Sequence, residues 1–205
     1  MKDPIISAIE ARRTVNLFDA SRGIEQEQIG ELIRLATTAP TAFNLQNWRF
    51  IAAHTAEAKA RLRKIAWDQA KVTEAAVTFI VCGQLADYKT IPDRLAPSVA
   101  AGLMPEQMVP GWEGAAKSLY HDQPLRQRDE AVRTATFGAG TLIYAAQAMG
   151  LGSSPMIGFD AEAVAEEFGL AEDEIAVMLV AVGEPLPENW PQKPRRPLEQ
   201  VLSVV

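Results

Sequence analysis

The chain has 205 residues, which is long enough to bury a full hydrophobic core and fits one domain. Hydrophobic residues make up 48% and charged residues 22% of it, a balance that excludes an intrinsically disordered or fibrous protein. The formal net charge of -6 repels phosphate backbones and anionic lipid, so we expect no nucleic-acid partner and no membrane partner.

The N-terminal part of the chain is predicted to be helical. Asp3 is a favourable N-cap and Pro4 a favourable first residue of a helix, so a short helix is expected from there to about Arg12. Apolar residues recur at helical spacing over residues 25–38, which predicts a second helix. The N-terminus lacks an apolar run of signal-peptide length, so the sequence predicts a cytoplasmic protein.

Two strands are predicted next. Residues 48–53 have the pattern of a strand, and Thr55 is expected to cap the helix that follows. Residues 77–82 are almost entirely apolar, which is typical of a strand in the centre of a sheet. This strand contains the single cysteine, Cys82, which is therefore predicted to be a buried and unreactive thiol.

Residues 84–123 contain scattered prolines and glycines, which predict broken helical pieces that form a variable, mobile flap. Met108, Trp112 and Tyr120 lie in this segment. Aromatic and apolar residues of this kind either line a selective pocket or belong to a core, and the sequence leaves both alternatives open.

A long helix is predicted from about Leu125 to Met149. Gly138 and Gly140 lower its helix propensity, which indicates that another backbone approaches closely there. Residues 134–159 carry no charge and are long enough to span a bilayer. Their many Gly, Ser, Thr and Gln residues favour instead a helix that is buried on all sides in a dimer.

The C-terminal part begins with residues 150–155, which are predicted to be a turn-rich link. Asp160 then caps a short helix that ends at Gly169, and residues 175–182 have the pattern of a strand covered on both faces. Residues 184–205 hold five prolines and no strong helical pattern, so we expect an extended arm that rests on another surface.

Common catalytic and metal-binding motifs are missing from the sequence. Its two histidines, His54 and His121, have no ligand-spaced partners and are expected to be surface residues, so no metal is predicted. No Ser-His-Asp triad, Walker loop or complete dinucleotide fingerprint is present. Cationic and polar residues cluster at 12–14, 68–71 and 193–196. Such clusters bind phosphate or are ordinary surface charge, and by themselves they do not decide between the two.

Four segments of the chain resemble motifs of the nitroreductase family. Residues 39–50, APTAFNLQNWRF, resemble the family's APSSxNxQPWxF segment, and residues 12–14 match its RRS opening. Residues 155–160 resemble its GFD segment and residues 193–198 its K-x-R-x-P ending. The four occur in family order, so the resemblance covers nearly the whole chain outside residues 84–123.

The resemblance implies a fold, a cofactor and an activity. The fold is an α+β sandwich whose central, mostly antiparallel sheet is flanked by helices, with residues 1–205 as one FMN-binding domain. The assembly is an interlocked homodimer with exchanged C-terminal arms. The activity is transfer of electrons from NADH or NADPH to nitroaromatics, quinones or similar small acceptors in a two-step cycle, with no side chain assigned as catalytic. The alternatives are a reductase of one metabolite, such as an enal, a semialdehyde or a halogenated phenol, and a non-catalytic flavin-binding protein.

By the same resemblance, the cofactor-binding residues fall into four groups. The FMN phosphate and ribityl chain are assigned to Arg12, Arg13, Thr14, Asn16, Lys193 and Arg195. Residues that approach the flavin from the partner subunit are Pro40, Thr41, Ala42 and Asn44. The pyrimidine end of the flavin is assigned to Asp68 or Gln69 at N3 and to Lys71 at N1 and O2. The segment facing N5, chiefly with backbone amides, consists of Pro155, Met156, Ile157 and Gly158.

The sequence departs from the family pattern at four positions. Asn16 stands where many members carry a basic residue, and Ala42 replaces a serine. Asn47 replaces a proline, and Ile157 replaces a frequent glutamate. The substitution at Asn16 weakens the expected phosphate contacts, and Ile157 favours an apolar surface near N5 over a carboxylate.

Overall fold

The computed structural model describes residues 3–205, which form eight α-helices and four strands. The helices are α1 (Pro4–Ala11), α2 (Gln26–Ala36), α3 (Ala56–Ile65), α4 (Lys71–Glu74), α5 (Ile91–Ala100), α6 (Val109–Tyr120), α7 (Pro124–Ala148) and α8 (Ala161–Phe168). The strands are β1 (Trp48–Ala53), β2 (Val77–Gln84), β3 (Gly152–Met156) and β4 (Glu174–Gly183). The predicted α+β class is confirmed.

The four strands form one sheet in the order β1-β2-β4-β3, and each neighbouring pair is antiparallel. The central position predicted for residues 77–82 is confirmed, because β2 pairs with β1 on one side and with β4 on the other. Opposite Cα partners include Ile51 with Ile80 and Phe79 with Val180. A sheet whose central strands are covered on both faces explains why these strands are almost entirely apolar.

Two hydrophobic cores lie on opposite faces of this sheet, because successive side chains of a strand point to opposite sides. The core toward α3 and α8 includes Val15, Leu62, Ile80, Cys82, Val164 and Leu179. The core toward α2 and α7 includes Leu32, Phe79, Val81, Leu142, Val180 and Val182. The sandwich predicted from the sequence therefore has its sheet between helical layers.

Side-chain caps set the helix boundaries that the sequence predicts. The Asp3 carboxylate accepts a hydrogen bond from the backbone amide of Ile5 at 2.8 Å, and the Thr55 hydroxyl accepts one from Ala58 at 3.1 Å. Gly169 ends α8 with a φ of 62°, in the left-handed region that glycine adopts without steric cost. The predicted start and end residues of these helices are confirmed.

The prediction of a turn-rich link over residues 150–155 is wrong, because residues 152–156 form β3. Small and proline-containing segments have low strand propensity, and propensity alone favours a turn. β3 lies at the edge of the sheet, where β4 is its only neighbouring strand and a short bridge at Ser153 is its other backbone contact, so Pro155 can occupy it without removing a hydrogen bond to a second strand.

Residues 84–123 form the helical pieces that the sequence predicts, and these pack around a third core. That core contains Leu45, Ala86, Ile91, Leu95, Ala116 and Tyr120, with Phe43 and Trp112 packed against it. Tyr120 is only 4% exposed, so of the two alternatives for this residue the structure supports core packing. Its hydroxyl donates to the buried Glu130 carboxylate at 3.1 Å, which joins α6 to α7. The role of the segment as a mobile flap stays a prediction.

The glycines of α7 have different neighbours from those predicted. A Cβ at Gly138 would meet the aromatic side chains of Phe50 and Trp48, at 2.9 and 3.3 Å, and not another backbone. A Cβ at Gly140 would have no neighbour within 4 Å among the described residues. The prediction of a helix buried on all sides is not met within one chain, since Phe137 is 51% exposed.

The arm at the C-terminus is extended, as predicted. Residues 190–205 are exposed and contain one short 3-10 turn at Leu198–Gln200. Within residues 3–205, no helix is both long enough and apolar enough to cross a bilayer.

We expect Cys82 to resist alkylation in the folded protein. Burial raises the pKa of the Cys82 thiol to about 12, so at pH 8 about one molecule in 10,000 carries the reactive thiolate. Iodoacetamide followed by intact-mass measurement should show no adduct on the native protein and one adduct in guanidinium chloride. Rapid labelling of the native protein at pH 8 would contradict the buried position of this side chain.

Candidate functional site

Residues 14–17, the strip of chain that follows α1, are held against β3 at the edge of the sheet. The amide of Val15 donates to the carbonyl of Ser153 in β3 at 2.9 Å, and Thr14 forms a parallel bridge with Ser153. Phe18, the residue after this strip, forms a bridge with Pro185 at the start of the C-terminal arm. Residues near both ends of the sequence are therefore neighbours in the fold.

A cavity with a volume of about 200 Å³ brings together Thr14, Asn16, Lys193 and Arg195. Its other lining residues are Trp190, Pro191 and Gln192. Two cationic side chains and two polar side chains thus face one small cavity, although they are separated by about 180 residues of sequence. This cavity, called the cation cavity below, brings together four of the six residues to which the resemblance assigns the FMN phosphate and ribityl chain.

Arg12 and Arg13 line a neighbouring cavity of about 160 Å³, which they share with Gln147 and Ser153. The structure of the single chain therefore does not place these two arginines in the cavity of Lys193 and Arg195. Residues of the same strip line both cavities, so the residues assigned to the FMN phosphate are divided between two cavities.

Lys71 is hydrogen-bonded to Asn16, a residue of the cation cavity. It is the first residue of α4, and its Nζ donates to Oδ1 of Asn16 at 3.3 Å. Partial burial lowers the pKa of Lys71 because desolvation disfavours the ammonium ion. The asparagine at position 16 thus accepts a hydrogen bond from Lys71, whereas a basic residue there would repel it.

The residues predicted for N3 and N5 of a flavin also meet. The Gln69 side-chain amide donates from Nε2 to the carbonyls of Gly158, at 2.8 Å, and Ala66, at 3.2 Å. Both of its hydrogens are therefore used, which leaves Oε1 as the group that a ligand can contact. The Asp68 carboxylate is instead engaged by Arg63 at 2.6 Å, so Gln69 is the better candidate for N3.

The segment after β3 offers backbone amides. Neither the Ile157 amide nor the Gly158 amide finds an acceptor within residues 3–205. The Ile157 side chain is 80% exposed, whereas Met156 is buried in the core of the α3 side. Met156 can therefore contribute only its backbone to a ligand.

The cation cavity is not lined by Pro40, Thr41, Ala42 or Asn44, and the turn at Ala42–Asn44 contacts α5 instead. The Asn44 side chain donates to the carbonyl of Arg94 at 3.3 Å, and the Thr41 hydroxyl accepts from the Gln46 amide at 3.1 Å. Phe43, with a positive φ of 52°, packs edge-on against Trp112. Within one chain these residues form a separate group.

Two residues of the site were missed by sequence reasoning. Trp67 is 72% exposed, has a φ of 53°, and its ring lies against Gly158, where an added Cβ would approach it to 2.9 Å. Asn189 is buried between the strip and the arm. A tryptophan placed after the apolar stripe of α3 was a signal for the first, but an asparagine among prolines gives no signal for the second.

The fold belongs to a known class. A Bacillus subtilis protein ascribed to the nitroreductases has a solved structure with a TM-score of 0.91 and 27% identity, over 98% of each chain. A protein of Exiguobacterium sibiricum ascribed to the same class was solved in complex with FMN. Its TM-score is 0.90 at 24% identity, over 100% of this chain and 99% of that one.

Sequence relatives define the family. Protein DrgA of Synechocystis is 34% identical over 86% of this chain and 82% of its own length. The NADH dehydrogenase of Thermus thermophilus is 33% identical over 97% and 96%, respectively. The model of the nitroreductase family matches residues 9–184. The chain belongs to the nitroreductase family, a family of oxidoreductases, as its four motifs predict.

Proposed function

We propose that this chain is an FMN-dependent oxidoreductase that transfers electrons from NADH or NADPH to a small organic acceptor. The observation that supports this most strongly is the cavity at which Lys193 and Arg195 meet Thr14 and Asn16. In a chain with a net charge of -6, two cations facing one small cavity suit a phosphate dianion, which arginine can bind bidentately.

The edges of a flavin ring fit the neighbouring residues. The Gln69 oxygen suits the N3 hydrogen of the ring, and the ammonium group of Lys71 suits negative charge at N1 and O2. The unpaired amides of Ile157 and Gly158 suit N5, which is a hydrogen-bond acceptor in the oxidised flavin. Bound FMN would supply the hydride chemistry, and the side chains would bind and orient it.

A homodimer completes this proposal. Helix α1 exposes Ile5 and Ile9, α7 exposes Phe137, and the arm of residues 190–205 lies open, so large apolar surfaces lack a neighbour within the chain. We propose that a second copy covers them and that its Pro40–Asn44 segment approaches the flavin. This arrangement is consistent with the separate location of that segment in one chain.

The acceptor is proposed to be flat and apolar. Trp67, whose ring lies against Gly158, and Ile157, which precedes Gly158 in the chain, are both exposed and present apolar surface beside the proposed position of N5. A flat acceptor would replace the nicotinamide there in a two-step cycle. A turnover screen over nitroaromatics, quinones, enals, semialdehydes and halogenated phenols would separate a broad reductase from a reductase of one metabolite.

The test of this proposal is the absorbance spectrum of the purified protein after incubation with FMN and desalting. We expect a flavin band that NADH or NADPH bleaches anaerobically, with FMN identified by mass after release. Bound FMN that neither nucleotide bleaches would support the alternative of a non-catalytic flavin-binding protein. The absence of any flavin band after reconstitution would overturn both assignments.

A further inference from the structure

Asn189 uses its whole side-chain amide to hold backbone groups. Its Oδ1 accepts from the amides of Asn16, at 2.7 Å, and Leu17, at 3.0 Å. Its Nδ2 donates to the carbonyls of Leu17, at 2.7 Å, and Leu186, at 2.9 Å. The residue is 8% exposed, so these four hydrogen bonds form largely out of contact with water.

These hydrogen bonds connect the two segments of chain that line the cation cavity. Asn16 carries the side chain that accepts from Lys71 and lines the cation cavity, and Asn189 lies one residue before Trp190. The chain from Trp190 to Arg195 lines the other side of that cavity. Each residue of the arm beyond Asn189 is exposed, and within residues 3–205 the Arg195 side chain is hydrogen-bonded only to the nearby carbonyl of Lys193, at 3.0 Å. Asn189 is thus the last buried attachment before the two cations.

We propose that Asn189 is a positioning residue that sets the distance between the strip of Thr14–Leu17 and the cations of the arm, and so tunes the site for a phosphate group. This inference rests on the proposed function. An amide fits the place because each of its two donors and its acceptor oxygen has a backbone partner. An alanine would leave the amides of Asn16 and Leu17 without this acceptor, whereas the carbonyls of Leu17 and Leu186 would keep backbone amides at 3.1 and 3.5 Å. The arm would then take many positions relative to Asn16.

The experiment compares FMN with riboflavin, which has the same ring and ribityl chain but no phosphate. Dissociation constants are measured by fluorescence quenching of the full-length protein and of Asn189→Ala. The wild-type chain is expected to prefer FMN by on the order of 100-fold, as charge-assisted contacts to a phosphate predict. In Asn189→Ala that preference should fall at least tenfold, while the riboflavin dissociation constant changes by less than about threefold.

Two further variants separate positioning from general stability. Asn47→Ala removes another buried asparagine, whose Nδ2 donates to the carbonyl of Gln84 at 2.7 Å, and it should leave the FMN preference unchanged. If Asn189→Ala fails to fold, Asn189→Ser retains one donor and one acceptor and should lower the preference by an intermediate factor.

The outcomes distinguish this inference from the function on which it rests. A wild-type preference for FMN that Asn189→Ala and Asn189→Ser leave intact would overturn the positioning role alone. An equal loss of FMN and riboflavin affinity would do the same, since it indicates a structural role only. A wild-type chain that binds neither flavin would overturn the proposed function, and the positioning role with it.

Discussion

Replacing Lys193 and Arg195 together with alanine is expected to weaken FMN binding by on the order of 100-fold or more, because in the proposed site each cation would make a charge-assisted contact with the phosphate. Riboflavin affinity should change little, since riboflavin has no phosphate. Isothermal titration of the apoprotein with each flavin measures both effects. The affinity of the wild-type chain for FMN should also fall with rising salt, because these side chains are exposed.

The control for this double variant lies in the same arm. The Arg196 guanidinium is bonded to Gln200, with its carbonyl 2.9 Å away and its side-chain oxygen 3.3 Å away, and Arg196 is not part of the cavity lining. Arg196→Ala removes one positive charge and is expected to change FMN affinity by less than about threefold. Equal losses in both variants would show that general charge, and not this cavity, attracts the phosphate.

Replacing Gly83 with alanine is expected to have the largest effect on stability among single substitutions. A Cβ at this position in β2 would lie 2.2 Å from the carbonyl oxygen of Ala131 in α7, and backbone atoms on both sides prevent relief. We expect the free energy of unfolding to fall by about 3 kcal/mol or more, and Tm to fall by roughly 10 °C. Thermal unfolding followed by circular dichroism measures this.

Gly30→Ala is the matched control for that substitution. Gly30 lies inside α2, and a Cβ there meets nothing within 4 Å in the described chain. Alanine has the higher helix propensity, so this variant should be more stable by up to about 1 kcal/mol. A Gly83→Ala protein as stable as the wild type would show that α7 does not pack against β2 as described.

Signals within a few neighbouring residues of the sequence predict most of the helices and strands. The cap at Asp3 and the stop at Gly169 depend on the chemistry of one residue and its nearest neighbours, so the sequence predicts them. β2 and β4 are predicted for the same reason, since a run of apolar residues can be satisfied only by burial on both faces. The strand at Gly152–Met156 could not be predicted, because its pairing with β4 overrides the low strand propensity of its own residues.

The residues of the candidate site could likewise be predicted only in part from the sequence. The family resemblance names Thr14, Lys71, Lys193 and Arg195, and the structure brings these side chains toward Asn16. The motifs do not show that Arg63 donates to one oxygen of Asp68, or that the Gln69 amide nitrogen is held by the Gly158 carbonyl, and these contacts are what favour Gln69 in the proposed function. Such competition between partners depends on distances that a linear pattern does not contain.

The sequence by itself determined the α+β class, the family, the helix ends and the residue types available to hold a phosphate. These follow from periodicity, caps and motifs, each of which acts over a few neighbouring residues or matches a known pattern. The tertiary structure alone decided that residues 14–17 and 189–195 lie together, and that Asn189 joins them through four backbone hydrogen bonds. The physical reason is that contacts across about 170 residues arise from the packing of the whole sheet, and no local energy term in either segment encodes them.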